Sequence, residues 1–250
     1  MGNTQKMKRT RPWFYYFGNW FLRNAFRLLL RVDVRGLENV PREGALIVAI
    51  SHSNFLDPLL AGAYIPRDVI PMAKIEAFNI PVIGLIVKSY GAFPVRRGEA
   101  DMSAFKTALR VLQGGSAMVM APEGHRSETG ALQQGREGAI MLSLRTGTPI
   151  LPVAVWGGKQ FWKNLARLRR TPMWFYVGKP VLPEVRATKP TREQMTQMSD
   201  ELMFCIADMM PPEMHGYYAG KTRATHHLQP VRAATLNKSV VPKSKEVVPG

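Results

Sequence analysis

The chain is poor in cysteine, in acidic side chains and in long apolar runs. Its 250 residues include one cysteine, Cys205. A single thiol rules out an intrachain disulfide and a cysteine-built metal site, and it fits a reducing compartment. Cys205 lies in the helical-looking run DELMFCIADMM, where a small buried apolar role suits it. No window holds 18 uncharged apolar residues, so no transmembrane helix is expected. The start, MGNTQKMKRT, shows neither the apolar core nor the cleavage site of a signal peptide. Lys6 stands where myristoylation requires Ser or Thr. Asp and Glu total 18 against 34 Lys and Arg, a formal net charge of +16. That excess favours anionic partners: nucleic acid, acidic protein or membrane surface. No recognised nucleic-acid motif accompanies it and the cations gather at termini and strand ends, so no nucleic-acid partner is expected.

Three regions follow from composition and periodicity. Residues 1–33 contain RPWFYYFGNWFLRNAFRLLLRVDV, with aromatics interleaved by Arg23, Arg27 and Arg31. A four-residue repeat keeps the arginines along one side of a helix. Interfacial helices carry this mixture; so does a helix packed on its own domain with arginines snorkelling to water. Residues 34–212 alternate short apolar runs with helical patterns. The runs at 45–51, 68–73, 90–95, 116–121, 149–155 and 173–178 read as strands, and 58–65, 99–115, 135–147 and 191–210 as helices. This alternation predicts an α/β fold: a mixed, mostly parallel sheet flanked by helices, with an N-terminal amphipathic helical segment. Residues 213–250 read as a basic flexible tail, with six cations against Glu246 alone beyond residue 220.

The chemistry-bearing residues fall at strand ends, where open α/β sheets bind ligands. AISHSNFLDP places His52 directly after a strand, with Asp57 five residues on and Pro58 next. Asp57–Pro58 has the look of a helix N-cap followed by proline at the first helical position. If the loop folds back, Asp57 also accepts a hydrogen bond from one imidazole nitrogen and leaves the other basic. A free imidazole titrates near pH 6.5 and can take a proton from a hydroxyl. Ser51 and Ser53 lie in no nucleophile elbow, and His52 and Asp57 have no metal-ligand spacing, so no metal is expected. In MAPEGHRSETG, Glu123 and Gly124 turn the chain at the same sheet edge and Arg126 is a phosphate-binding candidate. YGAFPVRRG presents Arg96 and Arg97 side by side, suited to a phosphate dianion, and Lys74 ends another strand. Each of these charges is equally readable as a solvated surface group.

Taken in order, H-x-x-x-x-D, G-x-x-x-x-x-R, P-E-G-x-R-S and a proline-containing apolar strand resemble the glycerolipid acyltransferases, with 1-acylglycerol-3-phosphate acyltransferases the best match. The resemblance runs from about Arg35 to Pro183. It implies a general base at His52, oriented by Asp57, and acceptor binding by Arg97, Glu123 and Gly124. Arg96 stands where that family often has an acid, and His125 where it often has threonine. The implied reaction moves an acyl group from acyl-CoA or acyl-carrier protein to a lysophospholipid hydroxyl without any cofactor. It implies an enzyme lying peripherally on the cytoplasmic side of an anionic membrane. Two other readings fit the residues: the same chemistry on another lipid acceptor, and a non-catalytic basic membrane-binding module.

Overall fold

The computed structural model describes residues 13–96, 101–184, 190–223 and 227–231. The chain enters through helix α1 (Trp13–Leu29) and passes without a break into strand β1 (Leu30–Arg35). There follow β2 (Leu46–Ile50), α2 (Asp57–Tyr64), β3 (Val69–Lys74), α3 (Pro81–Ser89), β4 (Phe93–Val95), α4 (Met102–Gln113), β5 (Ala117–Met120) and α5 (Gly138–Thr146). The remaining elements are β6 (Ile150–Gly157), α6 (Phe161–Ala166), β7 (Thr171–Val177), β8 (Val181–Pro183), α7 (Arg192–Ala207) and β9 (Leu228–Pro230).

The strands form one sheet in the order β1-β7-β6-β2-β5-β3-β4, with β8 on β6 and β9 on β8. Strands β6, β2, β5, β3 and β4 run parallel, and β7 is antiparallel to β6. β2 is the central strand and every one of its residues is buried, as the unbroken run LIVAI requires of a parallel strand covered on both faces. Leu46, Val48 and Ile50 face a core shared with α1 and α2; Ile47 and Ala49 face one shared with α4, α5 and α7. β4 lies at the sheet's end, which is where a strand containing Pro94 can be tolerated.

Local signals set the helix ends. Asp101 caps α4 by accepting from the amides of Ser103 and Ala104 at 3.0 and 2.9 Å. α5 stops at Gly147, whose φ of 65° is the left-handed conformation a helix C-terminus often needs. At α7, Thr191 Oγ1 accepts from the Gln194 amide at 3.2 Å and Gln194 Oε1 accepts from the Thr191 amide at 2.9 Å, a complete capping box. Thr191→Ala should therefore cost about 1 kcal/mol and lower Tm by roughly 2–4 °C in a thermal melt, with activity unchanged.

Three expectations change. α1 ends at Leu29, so Arg31 sits on β1 rather than on the helix, and β1 straddles the boundary expected at residue 33. The strand pairs in register with β7, Leu30 opposite Thr171, a partnership invisible to local periodicity. The expected tail is also shorter than 213–250. Tyr218 is buried beneath α7, and β9 returns to the sheet with Leu228 opposite Pro183. Residues 232–250 lie outside the described residues.

Candidate active site

All five parallel strands end at one edge, and β2 delivers Ser51 and His52 there between the ends of β6 and β5. Ser51 Oγ is fully engaged with β6: it donates to the Val155 carbonyl at 2.9 Å and accepts from the Val155 amide at 2.7 Å. This tie locks the end of β2 to its neighbour and leaves that hydroxyl no role as a nucleophile. His52 is 7% exposed and Asp57 is wholly buried. His52 Nδ1 lies 3.3 Å from Asp57 Oδ2. An ionised carboxylate only accepts, so Nδ1 is the donor of this pair.

Asp57 does not cap α2. Its Oδ2 turns back into the loop and accepts from the amides of Ser53 and Asn54 at 2.7 and 2.6 Å, and α2 has no side-chain cap. The expected cap fails because the loop amides, not the helix's own, meet the carboxylate. Those two amides and the imidazole converge on one oxygen, so the turn that shortens the His52–Asp57 separation is held by the acid itself. Asp57 Oδ1 is buried with no partner among the described residues. Burial pushes the Asp57 carboxyl above the ordinary carboxylate range, against the opposing pull of His52 and the Asn54 and Ser53 amides.

Glu123 is 2% exposed and is the second buried acid. Its Oε1 accepts from the His52 amide at 2.8 Å and its Oε2 from the Gln133 amide at 3.0 Å. The Ser127 amide then donates to the His52 carbonyl at 2.8 Å. His52 is thus gripped through both of its backbone polar groups by the segment after β5. This places Glu123 as a brace for the His52 loop, with its oxygens occupied by protein amides. Burial raises its carboxyl above the usual value, opposed by the hydrogen bonds from His52 and Gln133. Gly124 has φ 81°, and a Cβ there would come within 2.8 Å of the Arg136 side chain, so the turn demands glycine.

The cations are dispersed along the edge. Arg126 is exposed and precedes Ser127, whose amide is bonded to the His52 carbonyl. Lys74 ends β3, two strands from β2 or roughly 10 Å across the sheet, and its ammonium meets Glu76 Oε1 at 3.2 Å. Arg96 follows β4, three strands away or roughly 14 Å, and its amide donates to Asp101 Oδ2 at 2.9 Å. Arg97 lies outside the described residues. Sequence reasoning missed Gln133, Ser127 and the Ser51 tie; each works through backbone groups of a distant segment. The polar richness of SHSN and RSETG, beside apolar strands, is the signal that was there.

Comparison with known proteins shows the family of the chain. The acyltransferase family model matches residues 31–156. The chain is 30% identical over 191 residues to the 1-acyl-sn-glycerol-3-phosphate acyltransferase of Bacillus subtilis, covering 73% of this chain and 92% of that protein. It is 25% identical over 172 residues to the protein of that name from Borreliella burgdorferi, 68% of each chain. Its fold is shared with the crystal structure of the 1-acyl-sn-glycerophosphate (LPA) acyltransferase PlsC from Thermotoga maritima. That likeness has a TM-score of 0.62 at 23% identity, over 78% of this chain and 79% of that one.

Proposed function

From the premise that the chain belongs to the glycerolipid acyltransferase family and is an enzyme of the 1-acylglycerol-3-phosphate acyltransferase type, we propose the following reaction. It transfers a fatty acyl group from acyl-CoA or acyl-carrier protein to the free hydroxyl of 1-acylglycerol-3-phosphate, giving phosphatidic acid. The observation that carries this is the buried His52–Asp57 pair, braced at the end of the central strand. His52 Nε2 takes the hydroxyl proton as the oxygen attacks the thioester carbonyl. Asp57 stabilises the imidazolium. The tetrahedral oxyanion collapses to the ester, and the thiolate leaves with the proton returned by His52. The reaction as written needs neither metal nor covalent enzyme intermediate. Positioning the hydroxyl against the thioester supplies much of the rate.

Arg126 and Lys74 hold the acceptor phosphate in this reading, with Arg96 and Arg97 farther along the edge. A lysine side chain and a glycerol phosphate together can bridge the two-strand gap to His52. Gly124 supplies the tight turn that presents this loop to the acceptor. The acceptor lies in a membrane, and α1 supports peripheral attachment. Leu22, Phe26 and Leu29 pack inward, while Tyr16, Phe17, Trp20, Phe21 and Leu28 are all more than half exposed. Exposed Arg27 stands beside them to meet anionic headgroups, while Arg23 donates through Nε to the Ala63 carbonyl and fastens α1 to α2. Among the described residues no helix is long and apolar enough to cross a membrane.

The test is phosphatidic acid formation by purified protein from acyl-CoA, or acyl-carrier protein, and 1-acylglycerol-3-phosphate in detergent micelles. Arg126→Ala should raise the acceptor KM by roughly tenfold or more and leave the donor KM unchanged, as loss of a charge-assisted bond to phosphate predicts. Equal use of an uncharged lysolipid by both proteins would point to a different acceptor headgroup. Release of free fatty acid with no transfer product would make the protein a thioester hydrolase.

A further inference from the structure

Beyond the catalytic edge, the connection from β6 to β7 carries an apolar residue held in the open. Leu168 is 96% exposed, and its φ of 52° makes it the one non-glycine with positive φ among the described residues. The left-handed region is unfavourable for a leucine, and glycine or asparagine would take it at lower cost. The turn is not loose. The Arg167 and Arg169 amides donate to the Asn164 carbonyl at 3.0 and 2.8 Å, and the Leu168 amide to the Leu165 carbonyl at 3.0 Å. The backbone is thus bonded into a shape that projects this side chain into solvent.

The neighbours make it a surface of defined chemistry. Trp162 on α6 is 67% exposed, and its ring stacks on Phe55 of the catalytic loop at 5.6 Å and 11°. Phe55 lies between Asn54, whose amide bonds Asp57, and Asp57 itself. Lys159, Lys163, Arg167, Arg169 and Arg170 fall within this connection, and residues 138–183 contain no Asp or Glu. Arg170 donates to the carbonyls of Leu30 and Arg27, fastening the turn to the end of α1, where Leu28 is 74% exposed. Arg170 thus ties this turn to the end of α1 and the Trp162–Phe55 stack ties α6 to the His52 loop, with cations throughout the connection.

We propose that the α6 turn is a second membrane contact. Leu168 and Trp162 enter the headgroup boundary of an anionic bilayer and the surrounding Lys and Arg meet lipid phosphates. Aromatic and aliphatic side chains set among cations have this preference, and each cation near the surface adds to it. The inference goes beyond the catalytic reading and rests on it only for the use of a lipid acceptor. Through the Trp162–Phe55 stack, the contact holds the His52 loop at the interface. An acidic protein could meet the same charge, but continuity with the exposed side chains of α1 favours a lipid surface.

The experiment uses the full chain carrying Leu168→Cys and Cys205→Ser, labelled at residue 168 with an environment-sensitive fluorophore. Vesicles of phosphatidylglycerol and phosphatidylcholine should shift its emission to the blue, and high salt should reverse the shift. Unlabelled Leu168→Gly should melt no lower than the parent, since glycine suits the backbone, yet bind these vesicles roughly tenfold more weakly. Vesicle binding without a shift at residue 168 would mean that α1 binds alone and would overturn the proposal. Acyl transfer in micelles would be untouched by that result, so the catalytic reading would stand. A shift with acyl-carrier protein and none with vesicles would make the patch a protein-docking site. Absence of any vesicle binding would sink both this contact and the attachment assigned to α1.

Discussion

His52→Ala protein should form phosphatidic acid roughly a thousandfold more slowly than the parent, within the range lost with a positioned general base. The loss should fall on kcat, because the imidazole acts as the proton moves and contributes little to holding either lipid. Asp57→Asn should lose activity to a similar extent by a different route. Three donors meet Oδ2, so an asparagine keeps its carbonyl oxygen at that position and loses the negative charge that stabilises the imidazolium. Because the pair works as a unit, the double variant should be little slower than either single one. Single-turnover assays beside far-ultraviolet circular dichroism would check this. Undiminished turnover by folded His52→Ala protein would eliminate the base assigned here, and no turnover by either protein would favour the non-catalytic membrane module.

Glu123→Ala should unfold more easily than any variant at the exposed cations. It strips the acceptor from two amides, those of His52 and Gln133, at a position that is only 2% exposed. Unsatisfied buried donors cost about 1–3 kcal/mol each, so a loss of roughly 2–6 kcal/mol is expected, or a Tm lower by roughly 4–24 °C. Glu123→Gln should recover only part of this. One end of the amide accepts, but the other sets an N–H against an N–H. In both variants kcat should fall because His52 loses the grip on its amide, while the acceptor KM holds. A raised acceptor KM with an unchanged melting temperature would instead mean that the carboxylate meets the substrate. Thermal melts and steady-state kinetics on the same preparations separate the two.

These two acids show where sequence reading works and where it stops. The H-x-x-x-x-D spacing was enough to bring His52 and Asp57 into one loop, because both partners lie within a single turn. It could not show that Asp57 abandons the helix cap, since that choice belongs to two loop amides competing with the helix's own. Glu123 was legible as a polar residue at a strand end. Its bond to the His52 amide was not, because 71 residues separate the two and only the pairing of β2 with β5 brings them together.

The same division holds for the fold. Strong local periodicity and punctuation determined most strands and every helix but α3 and α6: the apolar run of β2, the Thr191 box of α7, the glycine after α5. It also determined that the polar motifs would sit at strand ends. Tertiary structure alone decided that β1 lies beside β7, that the stretch after α7 returns to the sheet, and that the segment after Arg126, rather than Arg96, bonds to His52. The physical reason is common to all three. A residue's conformation answers to its neighbours in the chain, but strand order and the burial of a carboxylate answer to contacts between segments that the chain brings together only when the core closes.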